Sequence, residues 1–202
     1  MEQNPFLSVT LFIMRQTEEH DLINRFKNGD DSAFENIILI HQDRIYNLCR
    51  HLLGNTNDAE DAAQDTLLKA YHNLKNFRPT SSLYTWLYRI AVNTCIDYRR
   101  RPFWESIFRY TDTGEEYTID YPSTEPSPEK NYEAKQIGVA LQQSLGRLSL
   151  KLRTVIVLKE MEGLSYEEIA GVLDLSIGTV KSRISRARDE LKKMLYEFME
   201  QN

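Results

Sequence analysis

Apolar residues recur at steps of three and four along most of the chain, which is the spacing of one face of an α-helix. The pattern predicts helices over residues 17–27, 32–53, 58–74 and 83–101, and further helices from residue 127 onward. The alternation typical of β-strands does not persist anywhere, and no internal repeat is present. The sequence therefore predicts an all-α protein.

The helical pattern is interrupted once over a long stretch. Pro102 ends the fourth predicted helix, and residues 102–130 contain prolines, acids and hydroxyl residues without any period, which is typical of a linker. We therefore expect two small helical domains, residues 15–101 and 131–202, joined by a flexible acidic linker. Residues 1–14 form an N-terminal extension that we expect to be disordered.

The region between Gly163 and Met194 has the pattern of two helices joined by a short turn. Ser165 and Glu168 have the spacing of a capping box, and Ser176 can cap the second helix. The second helix has one apolar face, formed by Val180, Ile184, Ala187, Leu191 and Leu195. Two helices with so short a connection predict a helix-turn-helix.

The charge of the second helix suggests a ligand for it. Its six bases (Lys181, Arg183, Arg186, Arg188, Lys192 and Lys193) against Asp189 and Glu190 give a net charge of +4, although the whole chain has a formal net charge of −5. The first residues of such a helix can reach base edges in the major groove, and its later bases can meet phosphates. The alternative is an amphipathic helix with a solvated basic face.

A second basic block precedes the linker. Residues 76–109 contain six arginines against two acids, a net charge of +4, whereas residues 110–135 contain seven acids against two lysines, a net charge of −5. Within the basic block, Tyr84, Tyr88 and Arg89 lie mostly off the apolar face of the fourth helix. Aromatic rings beside arginines suit single-stranded nucleic acid, because bases stack on rings and phosphates pair with guanidinium groups.

The third predicted helix has a second stripe in addition to its apolar face. This stripe, which contains an exposed leucine beside carboxylates and an amide, consists of Asp61, Gln64, Asp65, Leu68 and His72. A solvated face does not need an exposed leucine, so the stripe can dock a partner protein. A plain solvated face is the alternative.

The sequence gives no support for catalysis. The histidines are scattered, Cys49 and Cys95 fall at core-like helical positions as reduced thiols, and no phosphate-binding glycine loop or nucleophile elbow is present. We expect no enzyme activity, catalytic residue, cofactor, metal site or small-molecule substrate. The apolar run from Phe6 to Met14 is too short to span a membrane and lacks a basic start, so we expect a cytoplasmic protein, and Met14 is a possible true start.

Three segments carry a resemblance to a known family. AEDAAQDTLLKAYHNLKNFR, LYTWLYRIAVNTCIDYRRR and LSYEEIAGVLDLSIGTVKSRISRARDELKKML resemble, in this order and spacing, the extracytoplasmic-function class of bacterial sigma factors. The resemblance covers most of residues 15–198. It implies binding to core RNA polymerase, recognition of the −10 and −35 promoter elements, promoter melting for a stress or envelope regulon, and control by an anti-sigma factor, which in this class is often membrane-anchored.

The resemblance also implies roles for individual residues. Those of the polymerase-binding helix are Asp61, Gln64, Asp65 and Leu68. Those that contact the −10 element, through a pocket for a flipped base and through the strand backbone, are Phe77, Arg78, Ser81, Ser82, Tyr84, Tyr88, Arg89, Asn93, Arg99 and Arg100. Those that contact the −35 element are Ser176, Thr179, Lys181, Ser182, Arg183, Ser185 and Arg186.

Three other functions remain open on the sequence alone. A two-domain helix-turn-helix regulator that acts without core polymerase would share the C-terminal motif, although residues 1–101 lack the βα alternation of a receiver domain. An adaptor or anti-sigma protein would not need two separate basic blocks. An enzyme would need a catalytic constellation that the sequence does not show.

Overall fold

The computed structural model describes residues 17–79, 81–100 and 128–201. Those residues form helices and connecting turns without any strand, which confirms the predicted all-α class. The extension expected at residues 1–14 and most of the linker expected at 102–130 lie outside the described residues.

The first four helices form an N-terminal bundle. Their bounds are 17–27 for α1, Ser32–Leu53 for α2, Thr56–Leu74 for α3 and Leu83–Arg100 for α4. The helices α2, α3 and α4 pack against one another around a core in which Ile45, Leu48 and Leu87 are almost completely buried. Helix α1 joins this core through Phe26, whose ring lies 5.5 Å from that of Phe34.

The start of α3 differs from the prediction. The sequence predicted a helix over residues 58–74, but α3 begins at Thr56, and its N-cap is Asn55, whose side-chain oxygen accepts a hydrogen bond of 2.8 Å from the Asp58 N–H. Gly54 ends α2 with a φ of 83°, a left-handed conformation that glycine adopts without steric cost. The chain therefore reverses within two residues, and Asn55 is already in the extended conformation that a cap requires.

The remaining helices form a C-terminal bundle. Their bounds are Pro128–Arg147 for α5, Leu150–Ile156 for α6 with a π-helical turn at Val157–Met161, Tyr166–Leu173 for α7 and Ile177–Gln201 for α8. Residues 128–130, which the sequence analysis placed both in the linker and in the helical pattern from residue 127 onward, are helical.

The predicted helix-turn-helix is present in the C-terminal bundle. Ser165 accepts a hydrogen bond from the Glu168 N–H while the Glu168 carboxylate accepts one from the Ser165 N–H, which confirms the capping box. Ser176 caps α8 by accepting from the Thr179 N–H at 3.2 Å. Asp174 closes α7 with a φ of 53°, so the chain turns directly from one helix into the next.

The two bundles share one buried apolar cluster, which runs from Ile23 in α1 to Leu191 in α8. Arg153 of α6 lies inside this region, and its side chain is only 1% exposed. Its guanidinium donates to the carbonyls of Leu52 in α2 at 2.8 Å and of Leu148 at 3.3 Å, and also to that of Gly146. Arg153 therefore fixes the end of α2 against the turn between α5 and α6. Among the described helices, none has a stretch long and apolar enough to cross a bilayer.

Candidate nucleic-acid and partner-binding surfaces

The predicted partner stripe lies on the outer side of α3. The alanines of the opposite side (Ala59, Ala62 and Ala63) are buried against α2 and α4. Leu68 is 59% exposed, and Gln64 is exposed beside it. The two carboxylates of the stripe are less accessible: Asp61 and Asp65 are half-buried, and Asp65 accepts a hydrogen bond of 2.9 Å from the Tyr98 hydroxyl. The outward face of α3 therefore consists mainly of an amide and a leucine, with acids at its edge.

Two aromatic residues, Phe77 and Trp86, pack between α4 and the loop that precedes it. Phe77 is 5% exposed, its ring lies 5.2 Å from that of Trp86, and its carbonyl accepts a hydrogen bond of 2.6 Å from Lys27. In this conformation Phe77 does not offer a free ring face, because the ring fills the space between the loop and α4. Ser82 caps α4 by accepting from the Thr85 N–H, while Arg78 is exposed.

The outer side of α4 is not open to solvent along its whole length. Tyr88 is 1% exposed, and its hydroxyl donates to the Glu162 carboxylate of the C-terminal bundle. The Tyr84 hydroxyl lies near the Glu168 carboxylate, and burial together with this carboxylate raises the pKa of Tyr84. Arg89 donates to the carbonyl of Gly171. Of the two tyrosine rings predicted to stack on bases, that of Tyr88 is therefore covered by the C-terminal bundle and that of Tyr84 is half-buried.

Burial raises the pKa values of the groups in these contacts. Burial, together with the hydrogen bond to Glu162, raises the pKa of Tyr88 well above its ordinary value. Burial likewise raises the pKa of Glu162, and it outweighs the opposing effects of the Tyr88 hydroxyl and the Arg44 charge. A carboxylate that is costly to bury, held by one hydroxyl, is suited to an interface that opens, because water can replace the hydrogen bond when the bundles separate.

Further along α4, the predicted basic residues remain accessible. Asn93, Arg99 and Arg100 are exposed. Arg99 and Arg100 lie at the last turn of the helix, where cations also interact favourably with the helix dipole. They face the C-terminal bundle across a cleft that also contains Arg183 of α8.

The start of α8 presents the predicted −35 residues together. Ser182, Ser185 and Arg186 are exposed, and Thr179 is half-buried. The opposite side of the helix is buried through Val180, Ile184 and Ala187. The amino group of Lys181 lies 5.5 Å from the centre of the Tyr166 ring, so a cation–π contact holds it at the edge of this surface.

Arg183 is the exception in this group. It is half-buried and lines the cleft between the bundles beside Arg99 and Arg100. In this conformation the arginine faces α4, whereas Lys181, Ser182, Ser185 and Arg186 are exposed.

The sequence did not predict which residues connect the two bundles. Arg153, Glu162 and Glu168 connect the bundles, yet each stands in a pattern that also fits an ordinary helix surface or cap. The one available signal was Arg153, a single charge within the apolar run from Leu152 to Leu158. Such a charge is buried only where carbonyl groups can surround it.

The described residues show no group of three histidines, cysteines or acids placed to hold a metal ion. Cys49 and Cys95 are both buried and free. The neighbouring Cys49 thiol and burial hold the pKa of Cys95 well above its ordinary value, so this thiol is a poor nucleophile.

Comparison with known proteins matches both bundles to described families. Residues 37–105 match Sigma-70 region 2, and residues 138–191 match Sigma-70, region 4. The chain is 37% identical to the RNA polymerase sigma-H factor of Pseudomonas aeruginosa, over 91% of this chain and 96% of that protein. It is 39% identical to the ECF RNA polymerase sigma factor SigW of Bacillus subtilis, over 86% of this chain and 94% of that one.

Solved structures agree with this match. The fold resembles that of CnrH in complex with the cytosolic domain of CnrY, with a TM-score of 0.65 and 28% identity over 89% of this chain and 98% of that one. It also resembles the sigma factor RpoE in complex with the anti-sigma factor NepR from Bartonella quintana, with a TM-score of 0.62 and 28% identity over 81% and 96% of the two chains. The chain therefore belongs to the sigma-70 family, as a sigma factor of the extracytoplasmic-function class.

Proposed function

We propose that this protein binds core RNA polymerase, directs it to promoters through the −10 and −35 elements, and helps to melt the DNA. In this proposal residues 15–101 form the domain for polymerase and the −10 element, and residues 131–202 form the domain for the −35 element. The observation that carries the proposal is the presence in one chain of an exposed partner face on α3 and a helix-turn-helix with an accessible basic helix.

The polymerase surface is the face of α3 around Gln64 and Leu68. An exposed leucine rimmed by polar groups is typical of a protein interface. The half-buried Asp61 and Asp65 supply negative charge at its edge and attract a basic partner surface.

The −35 element binds to the first turns of α8. Ser182, Ser185 and Arg186 can reach base edges in the major groove, while the capped start of the helix lies near phosphate. The DNA backbone on either side is contacted by Ser176, Thr179 and Lys181. Arg183 also contacts it once the cleft beside α4 opens.

The −10 element binds to the loop at 77–82 and to α4. Capture of an extruded base offsets part of the cost of unpairing, which is a few kcal/mol. Arg78, Ser81 and Ser82 form the entrance, and Tyr84 and Tyr88 supply ring faces after the C-terminal bundle has moved away. The exposed residues Arg89, Asn93, Arg99 and Arg100 then hold the strand backbone.

An anti-sigma factor is the expected inhibitor of this protein. The similar RpoE was solved with the anti-sigma factor NepR, and CnrH with the cytosolic domain of CnrY, so proteins of this fold bind such partners while both bundles are present. We propose a comparable partner here, either free or membrane-anchored, which regulates a stress or envelope-response regulon. The protein acts in the cytoplasm and is not itself an enzyme.

The test is reconstitution with core RNA polymerase. The purified chain should be retained by core polymerase in a pull-down assay, and the complex should start transcription at a defined position on genomic promoter fragments. DNA binding without retention by polymerase would instead identify a regulator that acts alone. Retention without promoter-specific initiation would contradict the roles given to α4 and α8.

A further inference from the structure

A cavity of about 500 Å³ lies in the cleft between the two bundles, beside the last turns of α4. Its volume falls within the roughly 300–1,000 Å³ that is usual for small-molecule sites. The N-terminal bundle supplies the end of α4, and the C-terminal bundle supplies the start of α6, the end of α7 and part of α8. The cavity is therefore complete only while the bundles are together.

The charged lining of the cavity is entirely positive. It consists of Arg99, Arg100, Lys151 and Arg183, and within the described part of the chain none of the four forms an ion pair. The charge of Arg99 also contributes to lowering the pKa of the neighbouring Arg153, to about 10, an effect in which burial is the larger cause. Cations from two bundles face one cleft here without a neutralising acid, an arrangement that favours a bound anion.

The rest of the lining is mainly apolar. Val92 is buried, and Ile96, Leu150 and Leu173 are half-buried around the same space. The Thr154 hydroxyl, the remaining polar group, already donates to the Leu150 carbonyl at 2.8 Å. A bare inorganic anion would leave this apolar wall unused, whereas a ligand with a planar ring would cover it.

We propose that this cleft binds a nucleoside polyphosphate. Its phosphates pair with the arginines and Lys151, since guanidinium groups match phosphate oxygens in a bidentate manner. Its base lies against Ile96, Leu150 and Leu173.

Such a ligand would act on the arrangement of the whole chain. We call the arrangement with the two bundles in contact the closed form, and the arrangement with the bundles separated the open form. Because the ligand contacts both bundles, it binds the closed form more tightly and shifts the equilibrium toward that form. Nucleotide at saturation should therefore reduce the affinity of the chain for single-stranded −10 DNA. That consequence depends on the proposed function, while nucleotide binding itself does not and is measured without polymerase or DNA.

The binding test uses the full-length chain and a GTP analogue that carries a fluorescent group on its ribose. We expect saturable binding of one nucleotide, displaced by unlabelled GTP or ATP and displaced much less well by pyrophosphate or by guanosine alone. Lys151→Glu should weaken binding by about tenfold or more, because one charged hydrogen bond is replaced by repulsion. Lys193→Glu makes the same charge change at an exposed position outside the cleft and should leave binding nearly unchanged.

Two further variants separate the parts of the site. Lys151→Gln removes the charge without adding an acid and should give a smaller loss than Lys151→Glu, and Leu150→Ser should weaken GTP more than pyrophosphate. Absence of saturable binding at millimolar GTP would overturn the proposal. So would equal losses for the Lys151 and Lys193 variants, which would show general attraction to a basic protein. If pyrophosphate displaced the fluorescent nucleotide as well as GTP does, the site would bind simple anions without recognising the base. That result would also overturn the nucleotide assignment.

Discussion

Arg153 stabilises both bundles because its buried guanidinium donates to backbone carbonyls at helix ends. It donates to the carbonyls of Leu52 at the end of α2, of Gly146 in the last turn of α5 and of Leu148 just after α5. Burial lowers its pKa to about 10, so the side chain is still charged at neutral pH. The charge is retained because several carbonyl dipoles replace its hydration.

Arg153→Met should therefore destabilise the protein strongly. The methionine fills part of the space but leaves buried carbonyls unsatisfied, so we expect the free energy of unfolding to fall by about 2–4 kcal/mol. Urea denaturation followed by circular dichroism measures the loss. Lys151→Met, two residues earlier on the exposed side of the same helix, should change the free energy by no more than about 0.5 kcal/mol. Similar small values for both variants would contradict the role of Arg153.

His51 makes the stability of the closed form depend on pH. Burial lowers the pKa of this imidazole below its ordinary value, with the Gln142 side chain 3.3 Å away as a weaker opposing influence. The unfolded chain therefore binds a proton near pH 6.5 while the folded chain does not, so stability should fall as the pH drops below 6.5 toward the lower folded pKa.

The His51→Gln variant should remove this loss. Its free energy of unfolding should change less between pH 7 and pH 5.5 than that of the natural chain, as measured by urea denaturation at each pH. His72→Gln, a change at an exposed ring, should leave the original pH dependence in place. A pH dependence that persists unchanged in the His51 variant would assign the titration to another group.

At the scale of the element, α3 carries the proposed polymerase face and also contributes to the core. Leu68→Glu should weaken binding to core polymerase by about tenfold or more, because a carboxylate would enter an apolar contact. The fold should be retained, since Leu68 is 59% exposed. This substitution is a cleaner test than one at Asp65, which also bonds to Tyr98.

Leu39→Glu is the matched control for α3. Leu39 is 68% exposed but lies on α2, outside the proposed face. Competition binding with labelled core polymerase compares the two variants with the natural chain. If both lose the same affinity, the partner surface is not confined to α3.

Substitutions in α8 should distinguish a residue that recognises bases from one that contacts phosphate. Arg186 lies in the first half of the helix and is exposed, so Arg186→Ala should cost about 1–3 kcal/mol on the preferred −35 sequence and relax the preference at one position. Lys192 lies later in α8, with its amino group 5.8 Å from the centre of the Tyr196 ring. Lys192→Ala should leave sequence preference unchanged. Binding to a panel of −35 variants distinguishes them, and parallel losses on every sequence for both would reject base reading by Arg186.

The helices themselves followed from the sequence because their signals are local. The capping box at Ser165 and Glu168 and the cap at Ser176 depend on residues three positions apart, and both are present as predicted. The start of α3 was predicted two residues too late because Gly54 and Asn55 together end one helix and start the next. The contacts of Tyr88 with Glu162 and of Arg153 with Leu52 join residues 74 and 101 positions apart. Periodicity identifies which face of a helix is apolar, but it does not identify the helix that covers that face.

At the scale of the whole molecule, the closed arrangement, with the two bundles in contact, would compete with the proposed recognition of the −10 element. Tyr84, Tyr88 and Arg89 of α4 contact the C-terminal bundle in this structure, and the same residues are proposed to bind the −10 strand. Both cannot occur at once, so binding of −10 DNA requires the bundles to separate. The apparent affinity for DNA is reduced by the fraction of molecules that are closed.

Glu162→Ala should shift this balance toward the open form. The change removes the acceptor of the Tyr88 hydroxyl, a contact worth about 1 kcal/mol, so free protein should bind a single-stranded −10 oligonucleotide roughly fivefold more tightly, as that free energy implies. The radius of gyration from small-angle scattering should increase at the same time. Glu160→Ala is the matched control because it removes the same charge two residues away, where Glu160 pairs with Arg188 inside the C-terminal bundle. An equal gain in both variants would show that the loss of an acid, rather than opening, strengthens DNA binding. An unchanged radius with unchanged affinity in the Glu162 variant would show that the Tyr88 contact does not limit access to α4.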